Sequence, residues 1–260
     1  MKKFLPTITL VAIMFVGYKL MSSGSFSPIA MIMLSAVGLL SFASMRPKKP
    51  ASAVTPEAIS DLLGDYAKDV FNDESKLSKE FHAAVSQFLA NMPKATITKM
   101  TKLLPQCRNN QERYAVSIIR GQAYFADKKF KEAIQDFNQA VVLNPSSELA
   151  IKIGSCQQRI GELWKAIDSY EFALDLDPKC VAARSALATA WVANRNYEKA
   201  LNEAELVLEL EETNASALAT AAICHGLLGN IEQCDSYISL AEENGYSRQK
   251  IVDTIKALKK

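Results

Sequence analysis

The chain has 260 residues, 49% of them hydrophobic and 22% charged, with ten glycines and nine prolines; this excludes a disordered, a collagen-like or a small disulfide-scaffold protein. The net charge of +2 hides a segregation: the first 50 residues hold six of the thirty Lys and Arg (Lys2, Lys3, Lys19, Arg46, Lys48, Lys49) and no Asp or Glu, which leaves the remainder at −4. A slightly acidic main body excludes nucleic acid as the principal partner, because phosphate binding needs a basic face.

Two apolar runs open the chain, residues 4–21 and 28–45. A membrane-spanning helix needs about 20 apolar residues, with about 17 as the usual lower end. The second run meets this, and the first does so once Lys19 snorkels to the interface. Residues 22–27 supply a polar turn, and Arg46-Pro47-Lys48-Lys49-Pro50 a basic stop. The pattern predicts a transmembrane hairpin over 1–50, with both ends and all that follows cytoplasmic by the positive-inside bias. A secretory signal peptide is the alternative reading of the first run. No A-x-A-like cleavage site follows it, and the second run would still return the chain inward.

Residues 51–55 read as a linker. The apolar spacing then predicts helices over 56–71, 74–92 and 94–104, the first with Thr55 as cap and Pro56 and Glu57 in its first turn, the last stopped by Pro105. The region 51–113 is treated as an N-terminal helical cap, with a degenerate repeat as the alternative.

From 114 onward the chain repeats itself. Lys131-Glu132-Ala133-Ile134 leads to Phe137, Ala140 and Pro145; Lys165-Ala166-Ile167 leads to Tyr170, Ala173 and Pro178. Lys199-Ala200-Leu201 follows with Ala204 and Val207, and then Cys234 with Ile238 and Ala241. Ala133, Ala166, Ala200 and Cys234 are 33, 34 and 34 residues apart. Upstream of each stand Gly121, Gly154, Ala188 and Ala222, small residues that let helices approach closely. The pattern resembles the tetratricopeptide repeat, with Ser117 and Arg120 departing from it in the first copy, Gln157 in the second, Glu212 in the third, His225 and Cys234 in the fourth. The resemblance implies an all-α solenoid of antiparallel helix pairs, about four repeats over 114–248, each needing its neighbours to bury its apolar face. Residues 249–260 complete the stack as a capping helix, with Ile251, Ile255 and Leu258 on one face.

No catalytic constellation is present: no phosphate-cradling glycine loop, no HExxH, and His82 beside Phe81 reads as a partly buried structural histidine. Five cysteines (Cys107, Cys156, Cys180, Cys224, Cys234) without CxxC spacing read as small buried hydrophobes. Zinc normally takes four closely spaced ligands, and the chain has two histidines. We expect no enzyme, no metal and no cofactor.

In the family it resembles, the first helix of each pair lines a concave groove that binds a protein or peptide. Carried over, this selects Ile118, Gln122 and Phe125, then Ile151, Lys152, Ser155 and Arg159, then Thr189 and Val192, then Ile223. Recognition is expected to be apolar, centred on Phe125 and Ile118, with Lys152 and Arg159 orienting the ligand. The charged clamp by which some members grip an acidic tail is missing, since Ile118, Gln122, Lys152, Ala182 and Ala186 take its places. The function expected is a membrane-anchored scaffold or adaptor that helps assemble a membrane complex. The alternatives are a homo-oligomer-forming subunit of a secretion, envelope or defence apparatus, and an export-side assembly factor.

Overall fold

The computed structural model describes residues 55–67 and 69–259, which belong to one compact unit, Ala53–Lys260. The two expected membrane segments, 4–21 and 28–45, lie outside the described residues, and no helix among the described residues is long and apolar enough to cross a membrane. Every regular element described is helical: α1 Pro56–Leu63, α2 Lys76–Leu89, α3 Pro93–Leu103, α4 Asn110–Ala126, α5 Phe130–Leu143, α6 Ser147–Arg159, α7 Leu163–Leu176, α8 Val181–Ala193, α9 Tyr197–Leu210, α10 Ala215–Leu228, α11 Ile231–Glu243 and α12 Arg248–Leu258. Short 3-10 turns at Asp65–Ala67 and Leu104–Gln106 complete the set.

The starts of these helices are written in the sequence. Ser75, Asn109, Ser146, Asn196 and Asn214 each accept, through a side-chain oxygen, the backbone N–H three residues on, satisfying one of the orphan donors of a first turn. Thr55 does the same for Ala58. Several boundaries differ from expectation, among them the second and third helices, which run Lys76–Leu89 and Pro93–Leu103 rather than 74–92 and 94–104. The first helix stops at Leu63 rather than 71, because Gly64 turns the chain at φ +65. The fourth begins at Asn110, ahead of 114, because Asn109 caps it. The last runs Arg248–Leu258.

From α2 to α11 the helices form five antiparallel pairs, and the second helix of each pair packs on the first helix of the next. One register governs them all. At the position of Ala133 stand Thr96, Ala166, Ala200 and Cys234; twelve residues earlier come Ala84, Gly121, Gly154, Ala188 and Ala222. Four residues later come Met100, Phe137, Tyr170, Ala204 and Ile238, and three beyond those Leu103, Ala140, Ala173, Val207 and Ala241. All twenty are buried. The α2/α3 pair therefore shares the burial register of the other four, although neither Thr96 nor Met100 matches the family pattern. Its Thr96 hydroxyl also donates to the carbonyl of Met92, one turn back.

The turns inside the pairs are equally regular. Asn91, Lys128, Gly161, Arg195 and Gly229, five residues before the same reference position, all take positive φ, between 56° and 87°. The next N–H in each turn, that of Met92, Lys129, Glu162, Asn196 or Asn230, donates back to Gln87, Tyr124, Gln157, Trp191 or His225 at 2.9–3.0 Å. This is the Schellman closure, which needs a left-handed residue just past the helix.

Ahead of the pairs, residues 69–75 form a strap. Phe71 stacks on Phe81 with ring centroids 4.2 Å apart, and its carbonyl accepts hydrogen bonds from the Ser78 hydroxyl and from His82 Nε2. Arg108 fastens the strap by pairing with Asp73 at 2.7 Å and with buried Glu112 at 2.6 Å.

Candidate partner-binding groove

First helices approach one another from pair to pair, α2 to α4, α6 to α8 and α8 to α10, more closely than the second helices do. They therefore lie on the inside of the curve, and their outward-turned side chains line its concave face. Both ends of that face are covered. At the far end α12 packs on α10, with Ile255 so close to Gly226 that a Cβ there would come within 2.7 Å of it. At the near end α1 and the turn after it lie against α4.

The ten residues expected in the groove divide accordingly. Ile118 is buried in the same apolar cluster as Ile59 and Leu63 of α1. Ile223 is buried with Ile251 of α12. Phe125, expected to be free because Gly121 and Tyr124 already supply the packing, is half-buried and meets Phe130 edge-on at 5.5 Å, bridging α4 and α5. Ile151 and Val192 are half-buried between pairs, Ile151 against the Leu187 and Trp191 cluster, Val192 shared with the next. These apolar side chains are thus engaged within the stack.

What the groove presents to a partner is polar. Lys152 reaches Glu148 at 3.0 Å, one turn back on α6. Ser155 is half-buried, and Arg159 is exposed without an ion pair among the described residues. Thr189 is exposed, its hydroxyl donating to the Ser185 carbonyl at 2.9 Å. Gln122 lines a cavity of about 350 Å³ between α4 and α6, together with Lys152 and the Leu62–Tyr66 stretch. The structure brings Gln122 and Lys152 together at this cavity, while Ser155 and Arg159 follow Lys152 along α6 and Thr189 is exposed on α8.

The N-terminal cap expected over 51–113 includes α1, but the sequence reading did not foresee that its Ile59 and Leu63 bury Ile118. It also missed Trp164, 62% exposed at the start of α7. Trp164 meets Trp191 edge-on at 5.8 Å, and the Lys199 ammonium lies 4.3 Å from the Trp191 ring centroid, a cation–π contact.

The chemistry available elsewhere is structural. Burial pushes the Cys107 and Cys156 thiols up to about 11 and Cys224 to about 12, which keeps them protonated and inert near neutrality. His225 stacks on Tyr237 at 5.3 Å. Among the described residues no group of three or more His, Cys, Asp or Glu is placed to hold a metal.

Residues 116–147 and 158–217 match models of the tetratricopeptide repeat, so the chain carries tetratricopeptide repeats. Anaphase-promoting complex subunit 3 of Dictyostelium discoideum is 34% identical over 91 residues, 35% of this chain. The chain spans only 8% of that relative's length. The structure of MamA is similar with a TM-score of 0.58 and 20% identity, covering 62% of this chain and 93% of that one. YrrB, described as a tetratricopeptide repeat protein with an unusual peptide-binding site, is similar with a TM-score of 0.59 and 16% identity, covering 78% and 100%. A tetratricopeptide repeat protein from Parabacteroides merdae gives a TM-score of 0.63 at 16% identity, covering 70% and 72%. These likenesses show the fold: an all-α solenoid of antiparallel helix pairs.

Proposed function

We propose that the chain is a scaffold or adaptor that holds a protein or peptide partner on the inner face of α6 and α8, and that residues 4–21 and 28–45 tether it to a membrane, with the repeats on the cytoplasmic side. The observation that carries the first part is the open stretch of that face. Arg159 and Thr189 are exposed, and Lys152 and Ser155 half-buried, on the first helices between two ends covered by α1 and α12. A groove of small polar groups with two cations suits an extended or helical segment that offers carbonyls and carboxylates. The tether is supported by the two apolar runs and their flanking cations, and confinement at a bilayer would raise the effective concentration of partner and scaffold. The relatives support recruitment in general terms, one being a complex subunit and another having a peptide-binding site.

The test compares the full chain, purified from solubilised membranes, with the Lys152→Glu/Arg159→Glu variant and with the outer-face variant Phe172→Asp. The groove variant should lose a co-purifying partner at least tenfold while keeping its melting temperature, and the outer-face variant should keep the partner. The opposite pattern refutes groove recognition. Alkaline carbonate extraction tests the tether: the full chain should stay in the membrane pellet and a chain lacking 1–50 should not.

A second reading, self-assembly through the outer face, draws on Val142, Phe172, Leu176 and Leu210, large apolar side chains exposed on the second helices. It requires the Phe172→Asp variant to lose a detergent-stable oligomer in light scattering.

A further inference from the structure

We propose that the inner face of α4 and α6 is a docking site for a short amphipathic helix, with aliphatic residues at i and i+4 and a carboxylate just beyond, and that α1 holds this site in cis until such a partner displaces it. The inference rests on the reading that the inner face recruits a protein partner, and it names that partner's chemistry.

The segment on the site is unlike every other helix between α1 and α11. It has no antiparallel partner, whereas α2 to α11 are all paired. It is eight residues long, and isolated helices shorter than about 12–15 residues are marginal in water. Gly64 then ends it. Its helicity must therefore come from the surface it lies on. Ile59 and Leu63, one turn apart, are buried in the cluster that holds Tyr114 and Ile118 of α4, while Asp61 is exposed. Just beyond, Tyr66 meets Tyr114 edge-on at 5.0 Å, and its carbonyl accepts a hydrogen bond from Gln111 Nε2 at 3.1 Å.

The seat is incompletely filled. About 350 Å³ remains between the Leu62–Tyr66 stretch and Ile118, Gln122, Leu149 and Lys152. The cavity is open to water, so a helix with bulkier groups on that side displaces water and makes contacts that α1 does not. Asp65 of the segment and Lys152 of α6 line the same cavity, which sets the place for a carboxylate two residues past the second aliphatic. Occupation in cis lowers the apparent affinity of any competitor by the fraction of time the site is free.

The probe is a fluorescein-labelled synthetic peptide of residues 55–71, titrated by anisotropy against the full chain in detergent micelles. The Ile59→Asp/Leu63→Asp chain, whose α1 cannot seat, should bind the peptide at least tenfold tighter than the wild-type chain. Adding Lys152→Glu should reverse most of that gain. Equal affinity for the wild-type and expelled chains overturns the proposal. So does failure of the expelled chain to bind while its helix content and melting temperature match the wild type. Hydrogen exchange on the wild-type chain gives an independent reading that needs no variant. The Leu62 and Leu63 amides should exchange at least a hundredfold faster than those of Ala133 and Ala166, and equal protection would make α1 part of the cooperative core and overturn the proposal. A wild-type dimer that exchanges 55–71 between copies would overturn the cis seat in favour of a second copy. None of these readouts uses the natural partner, so failure of the groove recruitment test with the peptide result intact would count against the proposed function alone.

Discussion

At the scale of single residues, the repeat is a rule about where size is allowed. Gly121 and Gly154 face Phe137 and Tyr170, and a Cβ on either glycine would come within 2.6–2.7 Å of the ring opposite. At the equivalent places of the register stand Ala188 with Ala204, and Ala84 with Met100. Gly154→Ala should therefore destabilise the stack by about 1–3 kcal/mol through overpacking, read in urea unfolding. Pairing it with Tyr170→Met, which reproduces the Ala84 and Met100 combination, should recover part of that in a double-mutant cycle. Arg120, which departs from the family pattern, is explained by Asp136: two hydrogen bonds of 2.8 and 2.6 Å join them with both side chains largely covered. Asp136 keeps Arg120 firmly charged, while burial pushes the Asp136 carboxyl up. Arg120→Ala would strand that carboxylate at a cost of about 3–5 kcal/mol. A carboxyl raised in the folded state is tolerated below its unfolded value near 3.8 and penalised above it, so the deficit should grow as pH rises from 4 to 7. The thiols give a second pH signature. Cys107, Cys156 and Cys224 are raised from 9.0 to about 11–12, so stability is whole below pH 9 and is lost as pH rises through 11–12. At pH 8 a thiol reagent should label half-buried Cys180 rapidly in the native chain and all five cysteines only after denaturation. Rapid native labelling of Cys156 or Cys224 would contradict the packing described.

At the scale of elements, the Schellman turns supply the next test. Lys128 and Arg195 hold the left-handed position with φ 61, where Gly161 and Gly229 stand in neighbouring turns. A left-handed non-glycine residue costs about 1–2 kcal/mol, offset in part by the entropy glycine loses on folding. Lys128→Gly should therefore be neutral or stabilising by up to about 1 kcal/mol, and Gly161→Ala should be destabilising. Opposite signs in a calorimetric comparison would sink this account of the turns. The same elements show what was legible. The four later pairs could be read because an alanine or cysteine recurs every 33–34 residues. The α2/α3 pair could not, because Thr96 stands 37 residues before Ala133 and carries Met100 where the others carry aromatics, Ala or Ile. The intervening Leu104–Gln106 turn lies in the longer stretch. Helix α1 was expected to run to 71 because the apolar spacing continues past Gly64, and spacing does not weigh a glycine's freedom to turn.

At the scale of the whole molecule, the helices that carry the candidate groove residues were legible in the sequence and the burial of those residues was not. Knowing that first helices line the inner face places Ile118, Phe125 and Ile223 on the right elements. Whether they are open depends on what lies over them: α1 over Ile118, Phe130 beside Phe125, α12 beside Ile223. These are long-range contacts that a local pattern does not contain. The proposed recognition surface therefore shifts from apolar anchors to the polar residues Gln122, Lys152, Ser155, Arg159 and Thr189, and the apolar part of the face is proposed to take a helix that can replace α1. The central claim is that a partner lies on that inner face. Site-specific photo-crosslinking in living cells tests it most directly, with a benzophenone amino acid placed at Thr189 on the inner face or at Glu171, exposed on a second helix. The account predicts a discrete partner adduct from Thr189 and none from Glu171; an adduct from Glu171 with none from Thr189 would contradict it.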